Sequence, residues 1–127
     1  MEREAYNKNK NNFHTALKTK MDSFAFGVYK VTKNFPKDEI YGITSQLRRA
    51  SLSVILNYIE GYARVGEKQL KNFLNISYGS LKESKYLLFF AERKKYLDKE
   101  DYEKLIGLSE EIGAMLWTTI RGIKEKC

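Results

Sequence analysis

Glu60 and Glu83 are the residues of this chain whose surroundings could support acid–base chemistry or hold a metal ion. Glu60 stands beside a helical seam containing Asn57 and Gly61, and Glu83 borders an apolar arc of Ile76, Leu87 and Phe90. A carboxylate partly removed from water has a raised pKa, which suits a general acid or base. Two carboxylates facing each other inside a helical bundle can also share a metal. Arginine competes for the same carboxylates. Arg49 and Glu60 flank the seam in one wedge with Gln46 and Ser53, and Arg48 lies among Leu52, Ile55 and Ile59. An Arg–Glu pair withdrawn from water fixes helix register through charge-assisted hydrogen bonds. Bundle di-metal sites add a Glu-x-x-His element, which this sequence lacks. Arg49, Asn57, Glu60 and Glu83 are therefore expected to form a structural polar network, with Asn57 as a polar pin in an apolar seam. An enzyme built on Glu60 and Glu83 is the rival reading.

Other catalytic chemistry has little to work with. There is one histidine, His14, and one cysteine, Cys127. They cannot supply the ligand set of a zinc site, and a Cys–His dyad would have to recruit the last residue of the sequence. No glycine-rich loop is followed by Lys-Ser/Thr, which excludes a P-loop. No catalytic residue, metal or cofactor is expected.

Binding is better provided for. On one helical wheel Lys68, Lys71, Asn75, Tyr78, Lys82, Lys85, Tyr86, Phe89 and Arg93 share a face that holds no acid. Lysines neutralise phosphates and aromatic rings stack on unpaired bases. Lys68, Lys71, Tyr78, Lys82, Lys85 and Arg93 are the candidate nucleic-acid-binding residues; the competing reading is an outer face whose rings cover a neighbouring subunit. The net charge of +7 favours a polyanionic partner such as RNA or DNA. The positive charge is concentrated in residues 1–36 and 66–98.

The elements that must position these residues are helices. The run Leu17, Met21, Phe24, Val28, Val31, Phe35 has alternating 4-3 spacing and ends at Pro36, since a proline pushes the residue before it out of the α region. Lys37-Asp38-Glu39 restarts a helix with acids in its first turn. The next segment carries two apolar stripes: Ile43, Leu47, Ala50, Val54, Asn57 and Gly61 on one side, Leu52, Ile55, Leu56 and Ile59 on the other. A bundle helix needs one such stripe for its core. The second is expected to meet another copy of the chain, through Arg48, Leu52, Ile55 and Ile59. After a break at Gly66, a third helix runs from Glu67 with Leu70, Leu74, Ser77, Leu81, Ser84, Leu88 and Ala91 on its seam. Asp98 is a good N-cap for a fourth helix carrying Tyr102, Leu105, Ser109, Ile112, Leu116, Thr119 and Ile123. The short connections predict an all-α, antiparallel, up-down-up-down four-helix bundle. Its expected extent is 13–127, preceded by a loose polar arm at 1–12. With 127 residues the chain fits one domain. No apolar stretch is long enough to span a bilayer and no signal peptide is evident, so no membrane partner and a cytoplasmic location are expected.

The chain resembles the four-helix-bundle family of 23S rRNA-intervening sequence proteins. The residues that carry the resemblance are Phe35-Pro36, the Tyr41-Gly42-Ile43-Thr44-Ser45-Gln46-Leu47-Arg48-Arg49-Ala50 element, Asn57-Tyr58-Ile59-Glu60-Gly61 with Arg64, Phe73-Leu74, Gly79-Ser80-Leu81-Lys82-Glu83, and the segment from Ile112 to Leu116. The family often has alanine where this chain has Tyr58 or Ile59, near Glu60. Relatives of this family include the accessory variability determinant of diversity-generating retroelements, a basic homopentamer that binds nucleic acid and a reverse transcriptase. The resemblance thus implies a homo-oligomer, with a pentamer as the expected ring, and suggests nucleic acid as a partner. A retroelement accessory role, with a reverse transcriptase as partner, is the alternative it offers. It supplies no catalytic residues.

Overall fold

The structure, a computed structural model, describes residues 2–123, with side chains from residue 11 onward. These residues form four α-helices: α1 (Glu2–Thr32), α2 (Ile43–Ala63), α3 (Glu67–Arg93) and α4 (Lys99–Arg121), and no strand. Each helix packs on two others, α1 on α2 and α4, and α3 on α2 and α4, which closes a four-membered bundle. The expected seams face inward. Leu17, Met21, Phe24 and Val28 of α1 meet Leu47 and Val54 of α2, Leu74, Leu81 and Leu88 of α3, and Ile112 and Leu116 of α4 in one core. Tyr58 joins them, buried more deeply than its seam neighbour Asn57.

The breaks follow local chemistry. α1 stops at Thr32, whose hydroxyl turns back to the Val28 carbonyl at 2.8 Å. The expected restart at Lys37 is only a short 3-10 turn over Lys37–Glu39. α2 waits until Ile43 because Gly42 is held at φ −111°, ψ −120°, far from helical values. Gly66 takes φ +103° between α2 and α3, a conformation that costs glycine little. Asp98 caps α4, its carboxylate accepting the Asp101 N–H at 2.8 Å. The end of α3 is less expected. The Tyr96 N–H reaches the Ala91 carbonyl and the Lys95 N–H the Glu92 carbonyl, both at 2.9 Å. This is a Schellman closure with a lysine at φ +64° where glycine is usual.

α1 starts at Glu2, so the polar stretch expected as a loose arm carries helical backbone from Glu2 onward. Asn11 and Asn12 are exposed, and Phe13 is partly buried against the core.

α2 and α3 approach most closely, and small side chains allow it. A Cβ at Gly61 would lie 3.1 Å from Phe73 Cβ and 3.3 Å from the Leu70 carbonyl oxygen. Further along, Ser53 and Ser80 share a hydrogen bond of 2.7 Å, and Ser77 donates to the Val54 carbonyl at 2.6 Å.

Candidate nucleic-acid interface

Burial of Leu74, Ser77, Leu81, Ser84, Leu88 and Ala91 turns the opposite side of α3 outward. Lys68, Lys82 and Arg93 are exposed there, while Lys71, Lys85 and Tyr78 are half-buried. Two of these cations lie over rings of the same helix. Lys82 Nζ is 5.2 Å from the centre of the Tyr78 ring, and the Arg93 guanidinium is 5.4 Å from that of Phe89. These are cation–π distances.

α4 adds two residues that the sequence reading missed. Trp117 is 48% exposed, and its ring centre lies 5.6 Å from that of Tyr78 with the planes at 42°. Arg121 sits one turn on, 5.9 Å from the Trp117 ring centre. A basic and aromatic strip therefore crosses from α3 to α4: Lys85, Lys82, Tyr78, Trp117, Arg121. Between the helices runs a groove of about 260 Å³ lined by Tyr78, Lys82, Lys85, Glu110, Gly113 and Trp117 among others. The expected absence of acids does not hold along the whole face: Glu67, in the first turn of α3, stands about five turns before Lys85 and so at the same angle, and Glu110 of α4 adds a second acid beside Lys82 and Lys85. The available signal for Trp117 was a tryptophan standing off the core spacing with an arginine four residues on.

The remaining candidates divide. Arg48 is engaged within its own chain: Nε donates to Thr32 Oγ1 at 2.8 Å and the guanidinium lies 5.0 Å from the Tyr29 ring centre. Leu52 and Ile55 are half-buried, with Ile55 packed against the core, whereas Ile59 is 49% exposed and Leu56 57%. The open apolar side of α2 is thus centred on Leu56 and Ile59.

The expected polar network does not assemble as a charged cluster. Glu60 binds Arg64 one turn on, at 2.6 and 2.9 Å, at a partly exposed position. Glu83 and Arg49 are exposed on a groove of about 510 Å³ between α2 and α3. The two glutamates are not brought together. Glu60 precedes Gly61, which packs on Leu70 and Phe73, and Glu83 lies about three turns further along α3, roughly 16 Å away at 1.5 Å per residue. Neutral groups occupy the place expected for charges. Asn57 Nδ2 donates to the Ser53 carbonyl at 2.9 Å and to Ser53 Oγ at 2.8 Å, next to the Ser53–Ser80 bond. Burying hydroxyls and an amide costs far less than burying ions.

His14 is hydrogen-bonded through Nδ1 to the Tyr58 hydroxyl and lies edge-on to Tyr62, ring centres 4.9 Å apart. Burial, reinforced by the neighbouring Tyr62, holds the Tyr58 phenol protonated well above the ordinary tyrosine range. Cys127 lies outside the described residues. Among the described residues no three His, Cys, Asp or Glu converge on a possible metal position, and no helix is long and apolar enough to cross a membrane.

Helix order, seam and packing define a small antiparallel four-helix bundle with a basic, aromatic flank. The chain belongs to the 23S rRNA-intervening sequence protein family, whose model matches residues 14–118. Its fold is similar to the crystal structure of a protein with unknown function from the S23 ribosomal protein family of Bacteroides thetaiotaomicron VPI-5482. The TM-score is 0.79 at 24% identity, with 86% of this chain and 98% of that chain covered. No curated protein matches the chain.

Proposed function

We propose that this protein is a non-enzymatic, cytoplasmic nucleic-acid-binding bundle that works as a homo-oligomer. The observation that carries the reading is the outer face of α3, where Lys68, Lys82 and Arg93 stand exposed, Lys82 over the Tyr78 ring and Arg93 over that of Phe89, while the acids of the same helix, Glu67, Glu83 and Glu92, stand off to either side. Such a face neutralises backbone phosphates whatever the sequence of bases. Copies joined through the open side of α2 would repeat it around the assembly and multiply the charge of +7.

Gel-shift titration over a range of salt tests this. If one site engages about four phosphates, the logarithm of affinity falls with the logarithm of salt at a slope of about −3 to −4. Changing Lys68, Lys82 and Arg93 to Glu should weaken binding to every sequence alike. Absence of binding by the intact protein at low salt refutes the reading. Binding that survives the triple change moves the site, with Lys18 and Lys20 of α1 the next cations to replace.

A further inference from the structure

We infer that the groove between α3 and α4 is a seat for one unpaired base of a single-stranded nucleic acid, with Trp117 as its stacking platform. This deepens the proposed function and rests on it. Phosphate neutralisation by the α3 cations needs no groove and no ring, and would treat single and double strands alike.

Three features of the groove ask for more than phosphate. Trp117, the single tryptophan of the chain, is about half exposed, next to the fully buried Leu116 but off the core side of α4. Its ring leans on Tyr78 at 5.6 Å between centres, so its orientation is set before any ligand arrives. A ring held in place loses little freedom when a base stacks on it. The groove volume of about 260 Å³ falls below the range of about 300–1,000 Å³ typical of sites for whole small molecules. It suits one planar ring system whose sugar and phosphates remain outside.

The charges are arranged to match. Lys82 and Lys85 on one wall and Arg121 beyond Trp117 can hold the phosphates on either side of an inserted base. Glu110 lines the groove itself, where it disfavours phosphate and can accept an N–H from a base edge. A surface made only to attract phosphate would gain nothing from an acid there. A duplex keeps its base faces stacked internally and cannot fill this seat, whereas a single strand offers them freely.

The experiment uses the full chain, a fluorescently labelled ten-nucleotide single strand of mixed sequence, and its duplex. Because the chain has one tryptophan, its intrinsic fluorescence reports on Trp117 alone. Quenching is expected with the single strand and not with the duplex. In anisotropy titrations, Trp117→Ala should weaken single-strand binding about 5- to 150-fold, the range for loss of one base–aromatic stack, and leave duplex binding within about twofold. Trp117→Phe should recover most of the loss, which a purely structural role for the bulk of Trp117 would not produce. Single-strand binding without quenching, or equal losses on both forms in Trp117→Ala, overturns the base seat while leaving the nucleic-acid reading intact. Equal affinity for a free nucleoside monophosphate and the strand also overturns it, in favour of a nucleotide pocket. Failure to bind either form at low salt removes the parent reading instead.

Discussion

Replacing Leu56 and Ile59 together by lysine should dissolve self-association and leave the folded subunit intact. Leu56 is 57% exposed and Ile59 49%, so roughly half of each side chain's burial free energy is unrealised in a single copy. Complete burial of such a side chain contributes about 1.5–3 kcal/mol, which leaves about 0.8–1.5 kcal/mol for each residue to gain on being covered. The pair supplies about 1.5–3 kcal/mol to each interface that contains it, a factor of about 10 to 150 in dissociation constant. Two lysines would remove this and add ammonium groups that must be stripped of water, so the factor is a lower bound. Neither residue belongs to the core, and the melting temperature measured on dilute protein should move by less than about 2 °C. Ile55→Lys is the instructive contrast. Ile55 is packed against the core, so its replacement should lower stability whether or not an oligomer forms. Sedimentation velocity over a wide range of protein concentration reads the association directly. A double variant with the same mass profile as the unmodified protein refutes the choice of face. An unmodified protein that stays monomeric throughout refutes self-association itself.

Four further outcomes follow from particular positions. Lys95→Gly should raise stability by about 0.5–1 kcal/mol, since a side chain at φ +64° costs about 1–2 kcal/mol and the freer unfolded glycine returns part of that; Gly66→Ala at φ +103° should lower it, and thermal melts showing no change in either would contradict the backbone account. Glu83→Ala should alter the stability of dilute protein by less than about 0.5 kcal/mol, because Glu83 is exposed on an open groove; a loss of several kcal/mol in urea titration would show that its charge is held by partners after all. Burial raises the folded pKa of Tyr58 above its unfolded value, so its contribution is complete below about pH 10 and is lost as pH rises beyond it, at up to about 1.4 kcal/mol per pH unit. Tyr58→Phe should remove that slope in urea titrations between about pH 9 and 11, and an unchanged slope would assign alkaline sensitivity elsewhere.

The sequence read most clearly where one helix decides the outcome alone. The α3 seam from Leu74 to Ala91 and the interruptions at Pro36, Gly66 and Asp98 are legible because periodicity, a φ constraint and a cap are local properties. Contacts that need two helices were read less well. Trp117 gains its meaning from Tyr78, thirty-nine positions earlier, and no wheel drawn for α4 alone shows that neighbour. Tyr58 stands outside the seam read for its helix, and its burial depends on His14 of α1, which hydrogen-bonds its hydroxyl. Arg48 sits on an apolar stripe in the sequence, yet in space it reaches back to Thr32 and Tyr29. The charged network was overdrawn for a related reason. Glu60 has a partner one turn away in Arg64, and a local exposed ion pair forms without withdrawing either group from water. Lys95 carries no local mark of its left-handed conformation, since a cation near a helix C-terminus suits the dipole whatever its φ.

The serine-lined contact of α2 with α3 also bears on the order in which the molecule comes together. These two helices are joined by only Arg64, Val65 and Gly66, so the loop to be closed is short and its entropic cost low. The Ser77 hydroxyl meets the Val54 carbonyl and the Ser53 hydroxyl meets Ser80, so the pair can lock its register before any other helix arrives. Contacts between α1 and α4 instead close nearly the whole chain and reward the search late. The α2–α3 hairpin is therefore the natural nucleus. Amides near Val54 and Leu81 should be the slowest to exchange with solvent, and substitutions at Ser77 should slow folding more than they speed unfolding.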